Sequence, residues 1–145
     1  MENPLAGGWR LVRWETTYDD GRASTYPFGP DATGIIVYSH DGCMNASISR
    51  AGRTPLSSES ARTAPAAERL AAYDSFFSYG GRYRIDGDHV VHSVTQSQNP
   101  GMVGTEQRRL MEFGDDGSLT LSASDTVPAS QVKRHHRLIW KRQSP

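Results

Sequence analysis

The chain has 145 residues, enough for one domain with a sizeable core and too few for two ordinary ones. Its 16 basic and 16 acidic residues cancel, which removes the electrostatic footprint of a nucleic-acid binder and leaves the locally basic KRHHR and WKR runs as a solvated strand face. The single Cys43 excludes an internal disulfide, and no stretch resembles a secretory signal or approaches the ~18 apolar residues of a membrane span, so the expectation is one soluble, cytoplasmic domain over residues 1–145.

Met1 to Gly8 is short, polar and Gly-containing and reads as a cap. The run WRLVRWETT, Trp9 to Thr17, is rich in strand formers and ends at the Tyr18-Asp19-Asp20-Gly21 turn cluster. An irregular crossing with two prolines, YPFGP, follows. GIIVYS, from Gly34 to Ser39, is a second strand, and His40-Asp41-Gly42 turns the chain into CMNASISR. There Met44, Ala46 and Ile48 alternate with polar residues as in a half-buried antiparallel strand. The polar segment Arg50 to Thr63 is a loop. TAPAAERLAAYDSFF then has helix composition, with Thr63 available as cap, Pro65 suited to the first turn, and Ala67, Leu70 and Ala71 at helical spacing.

Strand character resumes from Phe76 to Arg84, where Gly80-Gly81 allows a bulge. The Asp86-Gly87-Asp88 turn starts a hairpin, and a third strand of this group begins near Gly104. If Ile85 faces Val90, then Tyr83 faces His92, because side chains alternate along a strand and pair across it. On the next strand Gln107, Arg109 and Met111 share a face, while Glu106 and Arg108 lie on the other as an exterior salt-bridge ladder. A turn at Gly114 to Gly117 leads to SLTLSAS, and HHRLIWKR is the last strand.

The tally is about eight strands joined mostly by hairpin turns, with one short helix between strands 3 and 4. A meander of this length best removes its exposed edges by closing on itself, and eight strands leave room for one small ligand. The expected fold is therefore all-β: an eight-stranded antiparallel up-and-down barrel with the helix over one end.

Inside such a barrel Tyr83, His92, Gln107 and Arg109 would stand where a plain core has Val, Ile or Leu. A histidine titrating near neutrality can exchange protons, a tyrosine can donate to an oxyanion, and arginine offers a fork of donors to a carboxylate or enolate. Unpaired, such groups cost a few kcal/mol each to bury, so the interior should be wet or hold a polar ligand. Tyr38 and Met44, flanking the His40 turn, are expected to line the barrel together with Tyr79, Gln96, Met111 and Trp9 as ligand-contacting residues. His135 and His136 are adjacent, so a strand sends them to opposite faces, and with Cys43 isolated no metal site and no cofactor is expected. Asn45-Ala46-Ser47 matches a glycosylation pattern but falls in a strand, and no phosphate loop or nucleophile elbow is present.

The blocks GGWRLVRWE, YPFGPDATGIIVYSHDGCMNA, GRYRIDGDHVVHSV, VGTEQRR and RLIWKR, in this order and over most of the chain, resemble the bacterial and fungal lipocalin-like domain family. The resemblance implies a calycin-type barrel, with Trp9 closing one end and a basic residue of the last strand, Arg137 by position, packing on it. It also shows departures: Ser93 stands where a second histidine is common, and Met102 where a large aromatic is common. Fold alone assigns no chemistry.

Two functions fit. One is a cofactor-independent cyclase or isomerase for a hydrophobic carbonyl compound such as a polyketide intermediate. His92 would move a proton, Tyr83 and Arg109 would stabilise an oxyanion, and Gln107 would orient the carbonyl. The alternative is a non-catalytic carrier of a small hydrophobic acid paired with Arg109; an appended barrel that makes only protein contacts would instead have a fully packed, apolar interior. The partner expected is a small hydrophobic molecule, with no nucleic acid and no membrane, and the protein a monomer or homodimer.

Overall fold

A computed structural model describes residues 2–143. Eight strands run in sequence order around a closed antiparallel barrel. They are β1 (Gly7–Tyr18), β2 (Thr33–Tyr38), β3 (Cys43–Ser49), β4 (Phe76–Asp86), β5 (His89–Ser97), β6 (Glu106–Phe113), β7 (Ser118–Thr126) and β8 (Lys133–Arg142). β8 pairs back onto β1 along nearly its whole length, from Trp9↔Arg142 to Tyr18↔Arg134, so each of the eight strands has a hydrogen-bonded neighbour on both sides.

Period-two alternation decides which residues enter the barrel. Ile36 and Tyr38 of β2, Met44, Ala46 and Ile48 of β3, Leu119 and Leu121 of β7 and Trp140 of β8 are all buried in one core. Two bulges interrupt the alternation. One lies between Leu11 and Arg13, so that Trp9, Leu11 and Trp14 all belong to the inner layer. The other falls between Gly80 and Gly81, as the glycine pair predicts. A side chain at Gly81 would run into the Ser93 carbonyl and come within 2.9 Å of the Thr95 nitrogen.

The β4–β5 hairpin has the expected register, with Tyr83↔His92 and Ile85↔Val90, and Gly87 at φ +63 makes its turn. On the outer face Arg84 meets Glu106 at 2.7 Å and Arg108 meets Asp86 at 2.8 Å, which is the exterior ladder that parity implied.

The helix differs in detail from the sequence reading. It spans Ala66–Asp74 with Pro65, not Thr63, at its cap, and Thr63 instead ends a short 3-10 segment, Ala61–Thr63. The Ser57 backbone N–H and hydroxyl both donate to the Glu68 carboxylate, which places an acid at the positive helix end. The helix packs beside the start of β4 and buries none of its own residues; Leu70 is 61% exposed. Helical composition without a buried face makes it a strap on the barrel, not a lid.

Candidate functional site

The barrel interior holds a buried polar layer built from three strands. His92 of β5 is 1% exposed. Its Nε2 lies 2.7 Å from the Tyr38 hydroxyl and its Nδ1 lies 2.6 Å from the Tyr79 hydroxyl. A neutral imidazole carries one donor and one acceptor, so one tyrosine donates to the ring and the other accepts from it. The accepting tyrosine therefore keeps its own O–H proton for another partner. Burial first, and the nearby Arg109 charge second, push the His92 pKa down to about 3. Burial likewise pushes both phenols upward, so all three groups are neutral over the physiological range. The expectation of a histidine titrating near neutrality is thereby corrected: desolvation without an acidic partner favours the uncharged ring.

On one side of this layer lies a cavity of about 260 Å³. Its wall is largely apolar, with Trp14, Phe77, Leu121, Leu138 and Trp140 prominent, and Tyr79, His92, Arg109 and His136 supply polar groups. Small-molecule sites usually fall at ~300–1,000 Å³, so this one suits a small occupant. The YPFGP crossing has a clear structural part here: it sets the Phe28 ring 5.3 Å from Trp14, and Arg50 then caps Phe28 at 5.2 Å while donating to the Pro27 carbonyl at 2.9 Å.

Arg109 is the cationic feature of the wall. One guanidinium nitrogen donates to the Arg108 carbonyl at 3.0 Å and another to Gln107 Oε1 at 3.4 Å. Among the described residues no carboxylate pairs with it; several other arginines share that condition, but Arg109 is the one that lines the cavity. Its charge also opposes the protonation of His92 and His136. A half-buried cation without an acid beside it is electrostatically incomplete.

His136 stands on the same wall, its side chain 29% exposed. Its Nδ1 is 3.1 Å from Thr16 Oγ1 and its Nε2 is 3.4 Å from Asp125. His135 points the other way, between Ser124 at 2.7 Å and Asp19 at 2.8 Å, as strand alternation requires. Among the described residues no group of three or more His, Cys, Asp or Glu could hold a metal ion, and Cys43 is exposed.

The sequence-derived candidates divide between two ends of the barrel. His92, Arg109 and Tyr79 line the cavity. Tyr38 and Met44 are core residues behind it, at 1% and 5% exposure. Gln107 pairs with His92 in register, but its amide turns to Thr105 Oγ1 at 2.9 Å and to Arg109. Tyr83 shares the face of His92 yet lies past Tyr38, whose ring stacks edge-on against it at 4.8 Å. Its hydroxyl donates to the Ser39 carbonyl at 2.6 Å and accepts from Asn3 at 2.7 Å, so it is aimed away from Arg109. Tyr83 and Met111 line instead a wide, open depression at the opposite end, with Ile85, Phe113 and the His40-Asp41-Gly42 turn.

Two further placements depart from expectation. Gln96 is exposed, because the bulge at Gly80/Gly81 shifts the pairing and sets it opposite Gly80 in a shallow surface dip. Trp9 is buried and donates from Nε1 to the Leu5 carbonyl at 2.9 Å, but the cation over its ring is Arg142, at 4.3 Å. Arg137 pairs with Glu15 in register and faces outward, since β8 runs five residues past it before meeting Trp9.

Cavity residues outside the sequence-derived set include Trp14, Phe77, Ala123, His136, Leu138 and Trp140. The alternation of His136, Leu138 and Trp140 in HHRLIWKR was a readable signal for three of them. Both Trp14 and Trp140 have indole N–H groups that are buried without a partner among the described residues.

A family model described as a lipocalin-like domain matches residues 6–143. No curated protein matches the chain. Among solved structures, a lipocalin-like protein from Bacteroides uniformis shares 14% identity, with 97% of this chain and 100% of that one covered at a TM-score of 0.48. An uncharacterized protein from Bacteroides eggerthii shares 14% identity, with 92% and 98% covered, at a TM-score of 0.42.

Proposed function

The chain belongs to the lipocalin-like domain family, and from that premise we propose that its barrel binds one small, largely apolar molecule carrying a carboxylate or similar anionic group, which pairs with Arg109. The observation that carries this reading is the cation itself. Arg109 faces a largely apolar cavity of about 260 Å³, and among the described residues no acid pairs with it. An anionic ligand group would complete that site, and a bidentate Arg–carboxylate pair sheltered from water is among the stronger polar contacts available. The apolar walls would supply affinity and Arg109 the selection.

A second reading, a cofactor-independent cyclase or isomerase acting on a carbonyl-containing, polyketide-like intermediate, draws support from Tyr79 and Arg109 lining the same cavity. Together they could polarise a carbonyl oxygen. His92 supports it less, because both ring nitrogens are engaged by tyrosines and its pKa of about 3 makes it a weak base. Binding without bond making is therefore the reading favoured.

The test is a titration with 2-naphthoate followed by tryptophan emission, since Trp14 and Trp140 line the cavity. Saturable binding is expected, with Arg109→Leu weakening it about tenfold or more. Ala123→Leu, which fills the cavity, should abolish it. Wild-type affinity in Arg109→Leu would overturn the assignment. Incubating wild-type protein with β-polyketone probes and following them by NMR separates the two readings: conversion that is lost in Tyr79→Phe or Arg109→Leu would establish catalysis.

A further inference from the structure

We propose that His136 determines ligand specificity alongside Arg109, taking up a proton when an anion binds in the cavity, so that acids bind more tightly as pH falls below neutrality. The inference rests on the reading of the cavity as an anion site, and extends it to how that site responds to pH.

Position comes first. Leu110 pairs with Ser122, so continuing the register sets Arg109 beside Ala123, and Ala123 pairs with His136. Arg109 and His136 thus stand two strand spacings apart, roughly 10 Å between backbones, across a small side chain, that of Ala123. Both reach inward and both line the cavity. An anion held by Arg109 is therefore within strong electrostatic range of the His136 ring.

Hydrogen bonding permits the ring to be neutral or charged. Asp125 accepts from Nε2–H in either form, and Thr16 Oγ1 faces Nδ1 at 3.1 Å with a hydroxyl able to donate or accept. The choice is left to charge. On β1 the ring meets the uncharged Thr16; on β7 it meets Asp125, whose carboxylate is shared with Arg134 at 2.6 and 2.9 Å; on β8 it has Arg134 itself, and on β6 Arg109. Burial is the largest influence holding its pKa below the usual histidine value, Asp125 pulls it up, and Arg134 and Arg109 push it down. An anion on Arg109 would offset that push and add its own attraction. The protonated form gains, and by linkage the ligand must bind the protonated protein more tightly. An uncharged ligand of the same shape has no such coupling.

Isothermal titration of the protein with 2-naphthoate between pH 6 and pH 8, in two buffers of different ionisation enthalpy, tests this; the carboxylate stays ionised throughout. Affinity should tighten roughly fivefold from pH 8 to pH 6, with fractional proton uptake on binding. His136→Gln should remove both the slope and the uptake, His135→Gln should keep them, and 2-naphthamide should show neither. In wild-type protein, the NMR titration of the His136 ring should move to higher pH when naphthoate is saturating, a readout that needs no variant. Binding that is flat with pH, or a slope that survives in His136→Gln, overturns the inference while leaving the anion site intact. Failure of 2-naphthoate to bind at any pH overturns both.

Discussion

A neutral imidazole clamped between two phenols behaves unlike a free histidine. The folded-state pKa of His92, about 3, lies below the value near 6.5 of an unfolded chain. Between those two values the unfolded chain binds more protons, so this contribution to stability is full above pH ~6.5 and is lost as pH falls toward 3. From pH 7 to pH 5 the loss should be about 2 kcal/mol, in a window where carboxylates remain ionised. His136, also held low, adds in the same direction. Urea unfolding of wild type and His92→Gln at both pH values checks this: the variant should be less stable at pH 7 and markedly less sensitive to acid. An equally steep loss in the variant would assign the effect elsewhere. The presence of His92 inside the barrel was legible from alternation, but its charge state was not, because that depends on Tyr38 and Tyr79 arriving from β2 and β4.

Strands and turns were readable because each depends on neighbours in sequence. The Asp86-Gly87-Asp88 turn fixed the register of the β4–β5 hairpin, and the glycine pair marked the bulge. The bulge is also where the fold tolerates least change. Gly81→Ala would drive a methyl group into the Ser93 carbonyl, with the Thr95 nitrogen 2.9 Å away on the same strand. Both atoms belong to the β5 backbone, which is paired to β4 and β6 on either side of the bulge, so we expect a loss of about 3 kcal/mol or more by chemical denaturation. A loss below about 1 kcal/mol would mean that the strand can slide. The helix was legible as a helix but not in its cap. Its surroundings were not legible either, since an alanine-rich segment shows no strong period and Leu70 remains in solvent.

Across the whole molecule, alternation says which face a residue occupies but not its level along the barrel axis. Tyr83 and His92 share a face and a register position, yet Tyr38 crosses from β2 between them, and the two hydroxyl-bearing ends of the layer serve different mouths. Level depends on the stagger of closed strands and on the β1 bulge at Leu11/Arg13, which carries Trp14 inward. For the same reason Arg142, not Arg137, covers Trp9. His92 and Arg109 could be named from sequence, whereas the Trp14, Phe77 and His136 side of the cavity needed closure to bring β1, β4 and β8 together.

If Arg109 selects its ligand by charge, the affinity ratio of 2-naphthoate to 2-naphthamide measures that selection most directly, with shape and apolar area nearly constant. Wild-type protein should prefer the acid about tenfold or more, and Arg109→Leu should bind the amide as well as wild type while losing that preference. An unchanged ratio in the variant, or a wild-type preference for the amide, would contradict it.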